Sequence, residues 1–265
     1  MKAVIMTGPT LKTHDIIDFF MDHGHPFKEE DYNHFVFKNG HEFTILPPAQ
    51  EGDIYKVVQK DDSHIIGIID GYFESTSAIW HKEILYALTK GRHVYGAASM
   101  GALRAAELSY FGMKGVGYIF ECYDQGVYED DDEVTLLHGP EQADYPPFSE
   151  AMANIRATLQ KAVEHQIIDK NECDILIKLA KATFYKDRNY KNLFEKALHS
   201  QSIEAQRIEH LKAWVDKYKV DQKKIDALKM IEIIFSDMCE GTGPHQADFD
   251  FQHTSVWQQA ISQHK

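Results

Sequence analysis

Ile65-Ile-Gly-Ile-Ile-Asp-Gly71, then Trp80-His-Lys-Glu-Ile-Leu85, then Arg92-His-Val-Tyr-Gly-Ala-Ala-Ser-Met-Gly-Ala-Leu-Arg-Ala-Ala-Glu107 decide the fold. The apolar run Ile65 to Ile69 reads as a buried strand that stops at Asp70-Gly71. A helical pattern follows from about Ala78 to Lys90. A second short strand, His93 to Tyr95, breaks at Gly96-Ala-Ala-Ser-Met-Gly101 into an alanine-rich helix. Strands alternating with helices of this length pair in parallel through right-handed crossovers. Ligands of such sheets bind beyond the carboxyl ends of the strands, so Asp70 and Ser99 are expected on the functional rim.

The pattern extends in both directions. Lys2 to Met6 is a strand, Thr7-Gly-Pro-Thr10 a turn, and Thr13 or His14 opens an amphipathic helix carrying Ile16, Ile17, Phe19, Phe20 and Met21. Residues 22–44 are polar and aromatic and are read as a variable insertion. Their histidines, His23, His25, His34 and His41, lack a metal-ligand spacing and have no cysteine nearby. Asp53 is an N-cap for a helix to Lys60. Beyond Glu150, helical patterns run over 151–165, 171–183, 190–199, 204–217 and 222–235. The fold class expected is therefore α/β: a Rossmann-like, mostly parallel sheet flanked by helices, with an all-helical C-terminal part. The expected division is a core domain over 1–148, a helical region over 149–238 and a weakly structured tail over 239–265.

Composition narrows the function. Hydrophobic residues make up 43% of the 265, enough for a substantial core, and a net charge of −13 argues against nucleic acid as a partner. Cys122, Cys173 and Cys239 are far apart, which fits reduced thiols and a cytoplasmic protein. No signal segment or membrane-length apolar run is read. The run Glu129-Asp-Asp-Asp-Glu133 reads as a solvated acidic loop without calcium-loop spacing. No metal and no cofactor is expected, and the absence of a glycine-rich phosphate loop counts against a nucleotide-binding module.

The chemistry-bearing residues gather near the predicted rim. Ala97-Ala-Ser-Met-Gly101 has the form of a strand-to-helix nucleophile elbow, with alanine where the usual pattern has its first glycine. A tight turn would lift the Ser99 hydroxyl off the sheet edge, and the Met100 and Gly101 amides would face an anion or oxyanion. An ordinary small-residue turn with serine as N-cap accounts for the same pattern. His81, placed by spacing on the apolar side of its helix, is either a core histidine or a base. Asp70, His81 and Ser99 together would make an acid–base–nucleophile set. Gly71, Lys82, Met100, Gly101 and Arg104 form the expected anion-binding group. Arg104 and Glu107, three apart, are spaced to pair, Glu83 reads as exposed, and His138, before Gly139-Pro140, is a second histidine candidate.

These motifs carry a resemblance. Pro47-Pro-Ala-Gln-Glu-Gly-Asp53, Ile69-Asp-Gly-Tyr-Phe-Glu74, Trp80-His-Lys-Glu-Ile-Leu85, Gly96-Ala-Ala-Ser-Met-Gly-Ala-Leu-Arg-Ala-Ala-Glu107, Asp132-Glu-Val134, Leu137-His-Gly-Pro140 and Asn154-Ile-Arg-Ala-Thr158 stand in the order and form of the TfuA-like family. The resemblance implies a companion of a YcaO-type enzyme, which activates peptide amides with ATP for backbone thioamidation. It implies that the chain releases sulfur from a thiocarboxylated, ThiS-like sulfur-carrier protein and delivers it, as a hydrolase or sulfurtransferase in the biosynthesis of a modified peptide. The alternative is a non-catalytic adaptor that docks the sulfur donor. Under the first, Ser99 attacks the acyl carbon or cradles the anion, His81 is the base oriented by Asp70, and Lys82 or Arg104 holds the thioacid. No membrane partner is implied, and self-association stays open.

Overall fold

The computed structural model describes residues 1–60, 63–72 and 77–262. The strands are β1 Lys2–Met6, β2 Phe27–Asp31, β3 His34–Phe37, β4 Glu42–Leu46, β5 Ile65–Ile68, β6 His93–Ala97 and β7 Lys114–Val116. The helices are α1 Thr13–Asp22, α2 Asp53–Lys60, α3 His81–Thr89, α4 Met100–Leu108, α5 Tyr118–Asp124, α6 Met152–Glu164, α7 Lys170–Lys181, α8 Tyr190–Ser200, α9 Ala205–Tyr218, α10 Gln222–Glu240 and α11 Ser255–Ser262. The strands form one sheet in the order β2-β3-β4-β1-β5-β6-β7. Its block β4-β1-β5-β6-β7 is parallel, and β2 and β3 run antiparallel at one edge. The expected α/β class with a mostly parallel sheet and C-terminal helices is the class observed.

Every residue of β5 and all but the first of β1 are buried, as strands covered on both faces require. Alternation divides their side chains between two cores. Ala3, Ile5, Ile65, Tyr95 and Ala97 face α1, through Ile16 and Phe20, and α10, through Met230, Ile231 and Ile234. Val4, Met6, Ile66, Ile68 and Val94 face Ile54 of α2, Ile84 and Leu88 of α3, and Ala105 and Leu108 of α4. The chain leaves β1 toward β4 on one side, while β5 lies on the other. The strand order therefore reverses between β1 and β5, the point beyond whose strand ends open α/β sheets form their ligand crevice.

Compactness divides the chain into unit 1, Met1–Glu129 with Lys224–Lys265, and unit 2, Asp130–Lys223. The breaks fall at different positions from the 148/149 and 238/239 boundaries expected. The reason is physical: the apolar stripe of α10 completes the first core of the sheet, so this last long helix belongs to the α/β unit. Residues 22–44, read as an insertion, build the β2–β3 hairpin, and Phe35, Phe37 and Phe43 enter the same core. The tail from Cys239 contains α11, where Trp257 is only 1% exposed.

Unit 2 packs Ile155 and Leu159 of α6, Leu176 of α7, Phe194 of α8 and Leu211 and Trp214 of α9 into its own core. Among the described residues no helix is long and apolar enough to cross a membrane.

Candidate functional site

Asp70 lies two residues past β5 and is 2% exposed. Its carboxylate reaches across the β1/β5 crevice. Oδ2 accepts the Gly8 and Thr10 backbone N–H groups, each at 2.9 Å, and Oδ1 accepts the Thr10 hydroxyl at 2.5 Å. Behind it, the Ala49 N–H donates to the Asp70 carbonyl (2.8 Å) and Gly71 bridges to Ala49. A carboxylate filling three donors of one loop fixes that loop, so Asp70 organises the floor of the crevice.

Ser99 lies two residues past β6, and its geometry is unusual. Ala98 has φ 66°, a region costly for a residue with a Cβ, and the Ser99 N–H turns back to the Ala97 carbonyl at 2.7 Å. A positive φ closed by an i→i+2 bond is a γ-turn of the strained kind. Ser99 is buried at 3% exposure, occupies the N-cap position of α4, and makes no capping bond with its side chain. Strain of this sort, about 1–3 kcal/mol, survives where the surroundings over-determine the backbone. Those surroundings are glycine against backbone. A Cβ on Gly101 would stand 1.8 Å from the Ile68 carbonyl oxygen, and one on Gly96 would stand 2.1 Å from the Gly101 oxygen. The first turn of α4 is thereby pressed onto the ends of β5 and β6.

This seam corrects one expectation. The Gly101 N–H donates to the Ile69 carbonyl (3.1 Å) and is not available to an oxyanion. Among the described residues the Met100 N–H pairs with no backbone carbonyl, so Met100 is the amide left to act beside Ser99.

His81 is also placed differently from its expected inward position. The buried residues of α3 are Glu83, Ile84, Ala87 and Leu88, while His81, at the first position, has a side chain 48% exposed. Its Nε2 meets Glu107 Oε2 at 2.8 Å, and Arg104 Nη1 donates to the same oxygen at 2.6 Å. Arg104 Nε also donates to the Ile79 carbonyl (3.2 Å). The Arg104–Glu107 pair is the one their spacing predicts. Burial pushes the Glu107 carboxyl up, but the bonds from His81 and Arg104 outweigh it and hold it below the usual range. Glu107 lies eight residues along from Ser99, about 12 Å of helix rise. Among the described residues no hydrogen bond joins Ser99, His81 and Asp70 to one another. His81 is oriented by Glu107, and Asp70 by the loop after β1.

Lys82 is engaged elsewhere: its Nζ donates to the Thr254 hydroxyl (2.9 Å) and stands 5.4 Å over the Phe251 ring. His138 belongs to unit 2, with Nδ1 2.8 Å from the Gly139 carbonyl and its ring 5.6 Å from Tyr145. Among the described residues no three His, Cys, Asp or Glu side chains converge as a metal centre would need. Phe73 and Glu74 of the motif after β5 lie outside the described residues.

Two features escape a reading of the sequence. Glu83 is not an exposed helix residue but 2% exposed, and it accepts the Gly52 (2.8 Å) and Tyr55 (3.3 Å) N–H groups at the start of α2. Burial pushes its carboxyl up despite these bonds. The acidic run, read as a solvated loop, is largely neutralised inside unit 2. Arg188, 2% exposed, donates to Asp132 Oδ2 (2.7 Å), while Glu133 takes a bidentate pair from Arg156 (2.9 and 3.0 Å) and a bond from Lys181 (2.9 Å). Nothing in the spacing of Arg156, Lys181 and Arg188 along the sequence signals this second network.

No curated protein matches the chain. A family model described as TfuA-like protein matches residues 70–189, from Asp70 at the crevice through the Ser99 turn and the ion network to Asn189. Over that span the chain carries a TfuA-like domain.

Proposed function

We propose that this protein releases sulfur from the thiocarboxylated terminus of a sulfur-carrier protein and delivers it to a YcaO-type enzyme for peptide thioamidation. The reading rests on the TfuA-like match together with one observation, the strained turn that holds Ser99 and the Met100 amide at the strand ends. The chemistry required is acyl transfer to water: a C–O bond forms at the acyl carbon, the C–S bond breaks, and the products are a carboxylate, hydrosulfide and a proton. The Ser99 hydroxyl and the Met100 N–H would hold the acyl oxygen, where charge develops. Arg104, His81 and Glu107 form a polar group on the neighbouring helix faces, suited to the carrier's terminal segment.

With no base bonded to Ser99 among the described residues, we favour Ser99 as an anion cradle and water as the nucleophile. That same observation favours a second reading, in which the chain is an adaptor that docks the sulfur donor without catalysis.

Purified protein is incubated with thiocarboxylated carrier, and sulfide and carrier mass are followed. Sulfide release with conversion of the carrier to its carboxylate is expected, reduced roughly 10²-fold by Ser99→Ala. No release by the wild type, with thioamidation still stimulated when the YcaO enzyme is added, would replace catalysis by the adaptor reading. Full release by Ser99→Ala would remove Ser99 from the site.

A further inference from the structure

Residues 241–262 belong to unit 1 and pack along it, Phe249 against the Phe111 ring (centroids 5.4 Å apart) among other contacts. At the start, the His245 N–H donates to the Gly91 carbonyl (3.0 Å), and His93 Nε2 lies 2.7 Å from the Gly243 carbonyl. In the middle, the Thr254 hydroxyl takes the Lys82 ammonium beside the Phe251 ring. At the end, Trp257 seats among Tyr55, Tyr86 and Phe251, with ring centroids 5.7, 5.4 and 5.2 Å away. Between Glu240 and Ser255 the segment has neither helix nor strand. It is therefore held by its few anchors and not by a ladder.

The middle contact pairs a charged donor with a neutral acceptor at the surface. Lys114, Lys181 and Lys224 each pair with a carboxylate. Among the described residues no carboxylate pairs with Lys82. Its charge rests on a neutral hydroxyl and a ring face, both weak holders of an ammonium. Lys82 also directly follows His81, whose ring belongs to the Arg104–Glu107 group. A cation in that position has more to gain from an anion than from Thr254.

We infer that residues 241–262 are a releasable strap that masks Lys82, and that its release presents this cation to an anionic group of the carrier protein. The carrier part rests on the function proposed above; the masking does not. Trp257 is the latch, because it supplies the most buried contact of the segment. Thr254 is the cover on Lys82 itself.

The test is amine acetylation of Lys82 on the intact protein, read by peptide mass, in the wild type, Trp257→Ala and Thr254→Val. Thr254→Val keeps the latch, so it reports even if Trp257→Ala folds poorly. Both variants are expected to acetylate Lys82 about fivefold faster, the equivalent of one net hydrogen bond. Hydrogen exchange over 241–262 is expected to rise in Trp257→Ala while that of β5 and β6 stays unchanged. Carrier added to Trp257→Ala should protect Lys82 again, and sulfide release should be faster than in the wild type. Equal labelling in all three proteins overturns the masking. Unmasked Lys82 with sulfide release at the wild-type rate overturns the switch. Unmasked Lys82 with no sulfide from any form, wild type included, overturns the catalytic function and leaves the strap standing.

Discussion

Substituting Gly101→Ala tests the glycine seam under the Ser99 turn. The added Cβ would lie 1.8 Å from the Ile68 carbonyl oxygen and 2.6 Å from its carbon, whereas ordinary contact begins at 3.4 Å. Both atoms are backbone of a central, fully buried strand, so β5 cannot yield. The first turn of α4 must instead retreat by about 1.5 Å to recover contact distance. That retreat breaks the Gly101 N–H bond to the Ile69 carbonyl. Overpacking costs about 1–3 kcal/mol, and orphaning a buried donor and acceptor costs about 1–3 kcal/mol more. Alanine returns about 1 kcal/mol of helix propensity. The net loss is about 3 kcal/mol, and at ~3 °C per kcal/mol for a unit of this size the melting temperature falls by about 10 °C. Calorimetry or circular dichroism measures this, with Gly243→Ala as control because a Cβ there meets nothing within 4 Å. The control should stay within about 0.5 kcal/mol of wild type. A Gly101→Ala protein melting within about 2 °C of wild type would refute the close approach and the over-determined turn built on it.

Asp70→Asn turns an amide NH2 toward the donors of Gly8 and Thr10, and urea unfolding should show a loss of about 2–3 kcal/mol with new protease cleavage in the loop after β1. Arg188→Met leaves the Asp132 carboxylate to Lys181 alone and takes the Arg188 donors from the Ala180, Thr183 and Asp132 carbonyls, which should cost unit 2 about 3 kcal/mol, read by Trp214 fluorescence as an earlier urea transition. The strap anchor should loosen in acid. Burial first, then His93 of β6 and Lys114 of β7, hold the His245 imidazole below its ordinary 6.5, against Asp248 of the strap; Asp237 of α10 faces His93 and Lys114 from the other side. The anchored state therefore binds fewer protons than the released one. Its stability is complete above pH 6.5 and is lost as pH falls through the depressed value. The protection of the 241–245 amides, taken against the intrinsic exchange rate at each pH, should fall over that window, and His245→Gln should flatten the fall.

What the sequence disclosed was local. The continuous apolar run of Ile65–Ile69 could only be a strand buried on both faces, and Gly96 to Gly101 could only be a tight strand-to-helix passage. Parallel order and the position of the rim followed from that alternation. What it hid depends on pairs distant along the chain. Glu107 becomes the partner of His81 because α3 and α4 lie side by side, which no spacing within either helix announces. The acids at 132 and 133 look solvated until Arg156, Lys181 and Arg188 return beside them. The stripe of α10 shows that the helix has an apolar side but not which surface covers it. His81 was misplaced for a simpler reason: at the first position of a helix the 3.6-residue period constrains a side chain weakly, and a nearby carboxylate turned it outward.

The return of α10 to the sheet has a consequence for how the chain is made. The face of the sheet formed by Ile5, Phe43, Ile65 and Tyr95 has no cover from Met230, Ile231 and Ile234 until those residues have been synthesised. In the sequence unit 2 falls wholly between the two segments of unit 1, so it emerges before the second of them. At ordinary elongation rates the first half waits roughly 5–20 s for its last long helix. During that time the part of this face that α1 does not cover is exposed on the ribosome, and a chaperone would find its binding surface there.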